Sequence, residues 1–213
     1  MDVAAVDKWE TPAARRDTRR AEILAAAARL FSTKGYHSTT MDHIAEQFGV
    51  TKPALYHYVG GKEQILAELF RDAFAQLDAV RMHALETDEP AERIRRFVRG
   101  HVGVAAADTK VLFVLEIEAE QLEAETFAHV RAQARQYRDA VVESVELGQR
   151  SGVFDTRLDA RVSAYGILGM CSWLSTWFQP AGTRTVEDIA AQFESMALAA
   201  LLGTEGPARA DTI

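Results

Sequence analysis

Cysteine occurs once in this 213-residue chain, at Cys171, so no intrachain disulfide can form and a reducing compartment suits it. A lone thiol in an apolar stretch reads as a small buried side chain. Long hydrophobic runs are missing as well. The most apolar segment, Gly166–Phe178, is well short of the roughly 20 residues that a membrane span needs. Met1–Trp9 is too short and too polar for a signal peptide, which makes a cytoplasmic location the expectation. The sequence also lacks strand alternation, internal repeats, a glycine-rich phosphate loop and a Cys/His set with zinc spacing. No nucleophile stands beside a base. The one dense acid–imidazole cluster is Glu116, Glu118, Glu120, Glu123 and Glu125 with His129. Carboxylates two apart do not converge on a helix, so it reads as a solvated acidic face. No catalytic residue, metal or cofactor is expected.

What is there is helical from end to end: an all-α chain of about nine helices. Residues 1–14 and 204–213 read as polar or small-residue mobile tails. Positive charge is in short supply overall, with 24 Lys and Arg against 31 Asp and Glu for a net charge of −7. It is unevenly spread. Residues 1–63 hold nine Lys and Arg against eight acids, a net of +1, which leaves −8 on the remainder. Attraction to a polyanion depends on the local face, so the acidic bulk does not exclude nucleic acid.

The stretch from Thr39 to Lys62 carries the most information. Thr39 or Thr40 can cap a short helix whose Ile44, Ala45 and Phe48 share one apolar side. Gly49 follows where the chain must reverse, and Val50 plugs the angle. Thr51 is a second N-cap, and Pro53 sits in a first turn, where its missing N–H costs nothing. This is the layout of a helix-turn-helix whose second helix enters the major groove of DNA. Leu55 points inward on that helix, leaving Lys52, Ala54, Tyr56 and His57 outward, with Lys52 and Lys62 as point charges for phosphates. Upstream, Ile23, Leu24, Ala27, Leu30 and Phe31 stripe a helix from about Asp17 to Lys34. Downstream, Gly60-Gly61 breaks the motif and Lys62 opens a long helix with Ile65, Leu66, Leu69, Phe70, Phe74 and Leu77 on one side. Arg15, Arg16, Arg19 and Arg20 form either an arm along DNA or a solvated helix start.

The segment from Arg19 to Leu69 resembles the DNA-binding domain of the TetR family of bacterial transcriptional repressors. The matching residues include Ile23, Ala27, Leu30, Phe31, Gly35, Tyr36, Thr39, Thr40, Ile44, Ala45, Gly49, Val50, Leu55, Tyr56, Lys62, Glu63 and Leu66. Phe48, Pro53-Ala54 and Tyr58-Val59 depart from the usual pattern and bear on the operator sequence alone. The resemblance implies a DNA-binding domain at 15–62, with its motif at about 40–59, and a larger ligand-binding and dimerisation domain at 63–203. It implies DNA contacts from Arg19, Thr39, Thr40, Thr51, Lys52, Ala54, Tyr56, His57 and Lys62. It also implies a homodimer on a double-stranded operator, a small apolar or amphipathic effector, and no membrane. The rival reading is a helical ligand-binding or adaptor protein that leaves DNA alone.

In the second half, Val162 to Phe178 holds no charged residue, so a helix there must be covered on all sides. Ser163, Gly166 and Ile167 on it, with Ile189, Phe193, Met196 and Ala200 on the last helix, are expected to pair with a second copy as a four-helix interface. Trp173 and Trp177 lie one turn apart near Met170. With Phe113, Phe127 and Tyr137 they line a ligand cavity or fill a core. The segment GILGMCSWLSTWFQPAG is similar to family members that sense acyl-CoA thioesters. Arg131, Arg135 and Arg138 fall at i, i+4 and i+7 on one helical face. They either hold the phosphates of a CoA-like head or pair with nearby glutamates.

Overall fold

Thr11 caps the first described helix, its hydroxyl accepting a hydrogen bond from the Ala14 amide, and Pro12 sits at a first-turn position. The computed structural model describes residues 11–107, 128–179 and 181–203. Among these the chain forms eight helices and no strand: α1 (Pro12–Lys34), α2 (Met41–Phe48), α3 (Lys52–Tyr56), α4 (Lys62–Ala84), α5 (Pro90–Ala107), α6 (Ala128–Arg150), α7 (Ala160–Trp177) and α8 (Val186–Leu202). The first helix therefore begins at Pro12 and not near Asp17. Its basic residues lie on a capped helix and not on a free arm. The expected apolar helix at Val111–Leu115, the acidic stretch Glu116–Glu125, and Phe113 and Phe127 lie outside the described residues.

The first three helices close over Ile23, Phe31, Ile44 and Leu55, all essentially inaccessible to solvent. Ile65, Leu66, Phe70, Phe74 and Leu77 of α4 are buried in a core that runs on without a break from these helices into the later ones. There α5 is the central element, packed against α4, α6, α7 and α8. Gly100 permits the close approach of α4: a Cβ at that position would lie 2.5 Å from Val80 Cγ1. Outside, Glu194 of α8 accepts from Arg95 and Arg99 of α5, and Glu92 and Glu86 take Arg96. These three arginines of α5 thus pair with glutamates.

One polar cluster sits inside the later part of this core. His101 Nδ1 lies 3.3 Å from the Tyr137 hydroxyl, and its Nε2 lies 3.0 Å from Ser172 Oγ, joining α5, α6 and α7. Phe97 meets the Tyr137 ring edge-on. Burial lowers the imidazole pKa to about 4 and raises the Cys171 thiol to about 12. Cys171 is thus an inert, buried thiol, as its apolar surroundings imply.

The histidine makes stability depend on pH. Its pKa is about 4 when folded and near 6.5 when unfolded, so the unfolded chain binds more protons between those values. The contribution is complete above about pH 6.5 and is lost as pH falls toward 4, to a total of about 3 kcal/mol. Urea unfolding at pH 7 and at pH 4.5 should show a smaller loss for His101→Gln than for the unmodified chain. Equal losses would place the acid sensitivity elsewhere.

Candidate DNA interface and effector cleft

Local chemistry builds the reading head. Thr40 caps α2 by accepting from the His43 amide, while His43 Nδ1 accepts from the Thr40 amide, a reciprocal capping box. Gly49 adopts the left-handed conformation with φ 75° and ψ 31°. Its amide and that of Val50 then satisfy the carbonyls of Glu46 and Ala45. A side chain at Gly49 would have ample room but the wrong backbone angles. Thr51 accepts from the Ala54 amide and starts α3. Leu55 is fully buried, which turns Lys52, Tyr56 and His57 to solvent with Ala54 half-exposed. Tyr56 is 48% exposed.

Several residues expected at DNA have other work. Thr39 is completely buried and donates to the Gly35 carbonyl at 2.8 Å, closing the turn after α1. Lys62 donates to the Tyr36 carbonyl at 2.9 Å, with its ammonium 4.2 Å from the Tyr36 ring centre. It therefore fastens α4 to that turn. Arg19 pairs with Glu22 and lies over the Phe48 ring at 5.3 Å. Lys52 makes an exposed pair with Asp42 at 2.8 Å, which raises its pKa and keeps it charged. Such pairs are weak in water, so its ammonium can exchange the carboxylate for a phosphate. α3 itself is shorter than the motif spacing suggests: it ends at Tyr56, and His57 and Tyr58 form a turn.

α3 is held at its far end by residues distant in the chain. Arg16 Nη2 donates to the His57 carbonyl at 3.0 Å, and Arg20 Nε donates to the Tyr58 carbonyl at 3.1 Å. Both arginines come from α1, about 40 residues away, a pairing no local pattern encodes.

The expected cavity divides in two. Tyr137 is in the core, whereas Trp173 and Trp177 are 59% and 47% exposed on the opposite side of α7 from buried Cys171 and Leu174. The tryptophans therefore do not line one cavity with Tyr137; Met170 is half-buried between the two sides. Instead, an open cleft of about 680 Å³ runs between the end of α4 and α6. Arg131 and Arg135 line it with Arg81, which the sequence did not single out, and with Leu85, Ala132 and Ala140. Arg138 is exposed and is not among the lining residues. Arg81 is braced by Asp78 at 2.7 Å.

The outer surface of α7 and α8 is apolar. Val162, Tyr165, Trp173 and Trp177 on α7, and Met196 and Leu202 on α8, are all exposed, with Gly166 and Ala200 among them. Ser163 and Phe193 are half-buried. Ile167 and Ile189, expected to face a second copy, are buried in the protomer's own core. None of the helices among the described residues is long and apolar enough to cross a membrane.

Comparison with known proteins agrees with this arrangement. Residues 23–69 match the family of bacterial regulatory proteins called tetR, and residues 87–201 match the tetracyclin repressor-like C-terminal domain. The transcriptional repressor KstR2 of Mycobacterium tuberculosis is 26% identical over 185 residues, which cover 85% of this chain and 92% of that protein. The solved structure of KstR2 from that organism superposes with a TM-score of 0.79 at 25% identity, over 84% of this chain and 93% of the other. AibR, solved with isovaleryl coenzyme A and operator DNA, is 30% identical with a TM-score of 0.71, over 84% and 97% of the two chains. Matched along both halves, with an exposed reading helix joined to a helical second domain, the chain belongs to the TetR family of bacterial transcriptional regulators, which act on DNA and not as enzymes.

Proposed function

We propose that this chain is a dimeric repressor that leaves its operator when an amphipathic, phosphate-bearing effector of the acyl-CoA type binds. The observation that carries the DNA reading is α3: a short helix capped at one end and clamped at the other, with Tyr56 and His57 turned to solvent. Two such helices related by two-fold symmetry would meet successive major grooves about 34–36 Å apart on a near-palindromic site. Lys52 and Thr51 lie beside the backbone in that pose, and Tyr56 and His57 reach the base edges.

The second copy follows from α7 and α8. Contiguous exposed apolar surface marks a site of association. A Cβ at Gly166 or Gly169 would meet nothing within the protomer, so a neighbouring helix can approach closely there. The effector reading rests on Arg81, Arg131 and Arg135, which outnumber Asp139 and Glu143 in a cleft whose volume suits a small molecule. Guanidinium forks match phosphate oxygens, and the alanines and Leu85 offer an apolar start for an acyl chain. AibR, a relative of the same fold, was solved with such a thioester. The cleft lies where α4 ends, so a ligand there can bias the helix that carries the reading head. Coupling of about 1–3 kcal/mol is enough for a useful switch.

Three outcomes test this. Tyr56→Ala should lower operator affinity by about tenfold or more without altering oligomeric state in sedimentation; full retention of affinity would remove α3 from the interface. Trp173→Glu should give a folded monomer at micromolar concentration, and a dimer that survives it would place the interface elsewhere. Isovaleryl coenzyme A, long-chain acyl-CoA and free CoA should be titrated against the operator complex. A thioester is expected to weaken binding by about 5–150-fold, less so in Arg135→Ala. Unchanged operator affinity with every thioester at saturation would sink the effector class and leave DNA binding intact.

A further inference from the structure

A helix of five residues cannot stabilise itself in water, because nucleation costs more than so few hydrogen bonds return. The orientation of α3 must therefore be imposed from outside. Leu55 anchors its inner face, and its C-terminal carbonyls are taken by α1: Arg16 holds that of His57, and Arg20 holds that of Tyr58. Arg20 does more. While its Nε donates to Tyr58, its Nη2 donates to Glu68 Oε1 of α4 at 2.5 Å. One planar guanidinium thus joins the end of the reading helix to the long helix that also packs with the later helices.

Glu68 is an odd residue for its place. Only 4% exposed, it lies on α4 beside Ile65 and Leu69, and its second carboxylate oxygen is buried with no hydrogen-bond partner. A buried carboxylate with one oxygen unsatisfied costs stability, and an apolar residue of similar size would pack there at least as well. What an ion pair supplies that a leucine does not is a fixed direction. A fork of N–H groups placed between two acceptors allows only a narrow range of angles between the elements that carry them.

We propose that Glu68 is a positioning residue for DNA recognition. Through Arg20 it fixes the angle between α4 and the end of α3, so the reading helix follows α4 and not its own weak preference. The assignment rests on α3 being the element that meets the groove. Arg20 is not required to touch DNA, which separates its role from that of a phosphate-binding arginine.

The test compares two duplexes. One is selected from random sequence by the unmodified chain; the other is a scramble of it with the same length and composition. Arg20→Lys keeps the charge but cannot span two acceptors in one plane, and its position near the surface makes it the safer variant. Glu68→Leu removes the acceptor, and Glu68→Gln keeps an acceptor oxygen for Arg20. Arg20→Lys and Glu68→Leu are expected to lose about tenfold or more of the selected-to-scrambled affinity ratio. Affinity for the scramble, its salt dependence and the melting temperature should change little, and Glu68→Gln should restore most of the ratio. An unchanged ratio in folded Arg20→Lys, or an equal loss on both duplexes, would reduce the triad to ordinary structural support and overturn the proposal. An unmodified chain that enriches no sequence would overturn both this proposal and the DNA reading beneath it. Selective wild-type binding with unaffected variants would overturn this proposal alone.

Discussion

One helix runs through both parts of a continuous hydrophobic core, and the rest of the architecture is arranged around that constraint. Ile65, Leu66 and Phe70 of α4 are buried near its start, while Phe74 and Leu77 lie further along it. A 23-residue α-helix is a rod of roughly 34 Å that bends little without proline or an inserted side chain. In the proposed switch, a change at its C-terminal end would reach the reading head as a tilt of the whole rod. Its N-terminal end is fastened by Lys62 on the Tyr36 carbonyl, and its C-terminal end flanks the arginine-lined cleft. The two places where a regulator needs to communicate are thus the two ends of one element.

Charge is handled in the same economical way. The protein is acidic overall, and several of its surface arginines are paired with acids. Those of α5 close on Glu86, Glu92 and Glu194, and Arg157 closes on Asp155, whose carboxylate pKa is lowered by that contact. Exposed pairs of this kind contribute little to stability, but they remove basic charge from surfaces where it would draw nucleic acid without selectivity. On the reading head, by contrast, Lys52 is held only by a weak surface pair, and His57 and Tyr56 lie open beside it.

How much of this was legible in the sequence depends on the range of each interaction. Caps and turns act over three to five residues, so Thr40, Gly49, Thr51 and the boundaries of α4, α7 and α8 could be read from local chemistry. The role of Thr39 could not, because a cap hydroxyl and a buried turn hydroxyl look alike until the neighbouring helix is in place. The anchoring contacts of Lys62, Arg16 and Arg20 are hidden from local pattern for the same reason. Each is committed to a carbonyl 26 to 41 residues distant, and a basic residue near a DNA-reading motif suggests phosphate by default. The α4–α6 cleft was half-visible: Arg131 and Arg135 showed their periodicity, but Arg81 joins them only through packing of two helices.

α7 explains why periodicity alone misplaced the tryptophans. An uncharged helix has no polar stripe to mark its outer side, so Trp173 and Ile167 look equally suited to either face. The structure orders them against the usual rule. Ser172 and Ser175 are buried, Ser172 beside His101, while Trp173, Trp177 and Val162 are turned out. A protomer acting alone would gain by the opposite rotation, which would bury the large rings and expose the hydroxyls. The observed rotation is favourable only if the tryptophan side is also covered, as the proposed two-fold pairing through the same surface would do. The polar side then stays where α5, α6 and α7 converge, leaving a hydrogen-bonding centre inside the effector domain. Pairing with a second copy and keeping a polar core are therefore one decision about the rotation of a single helix.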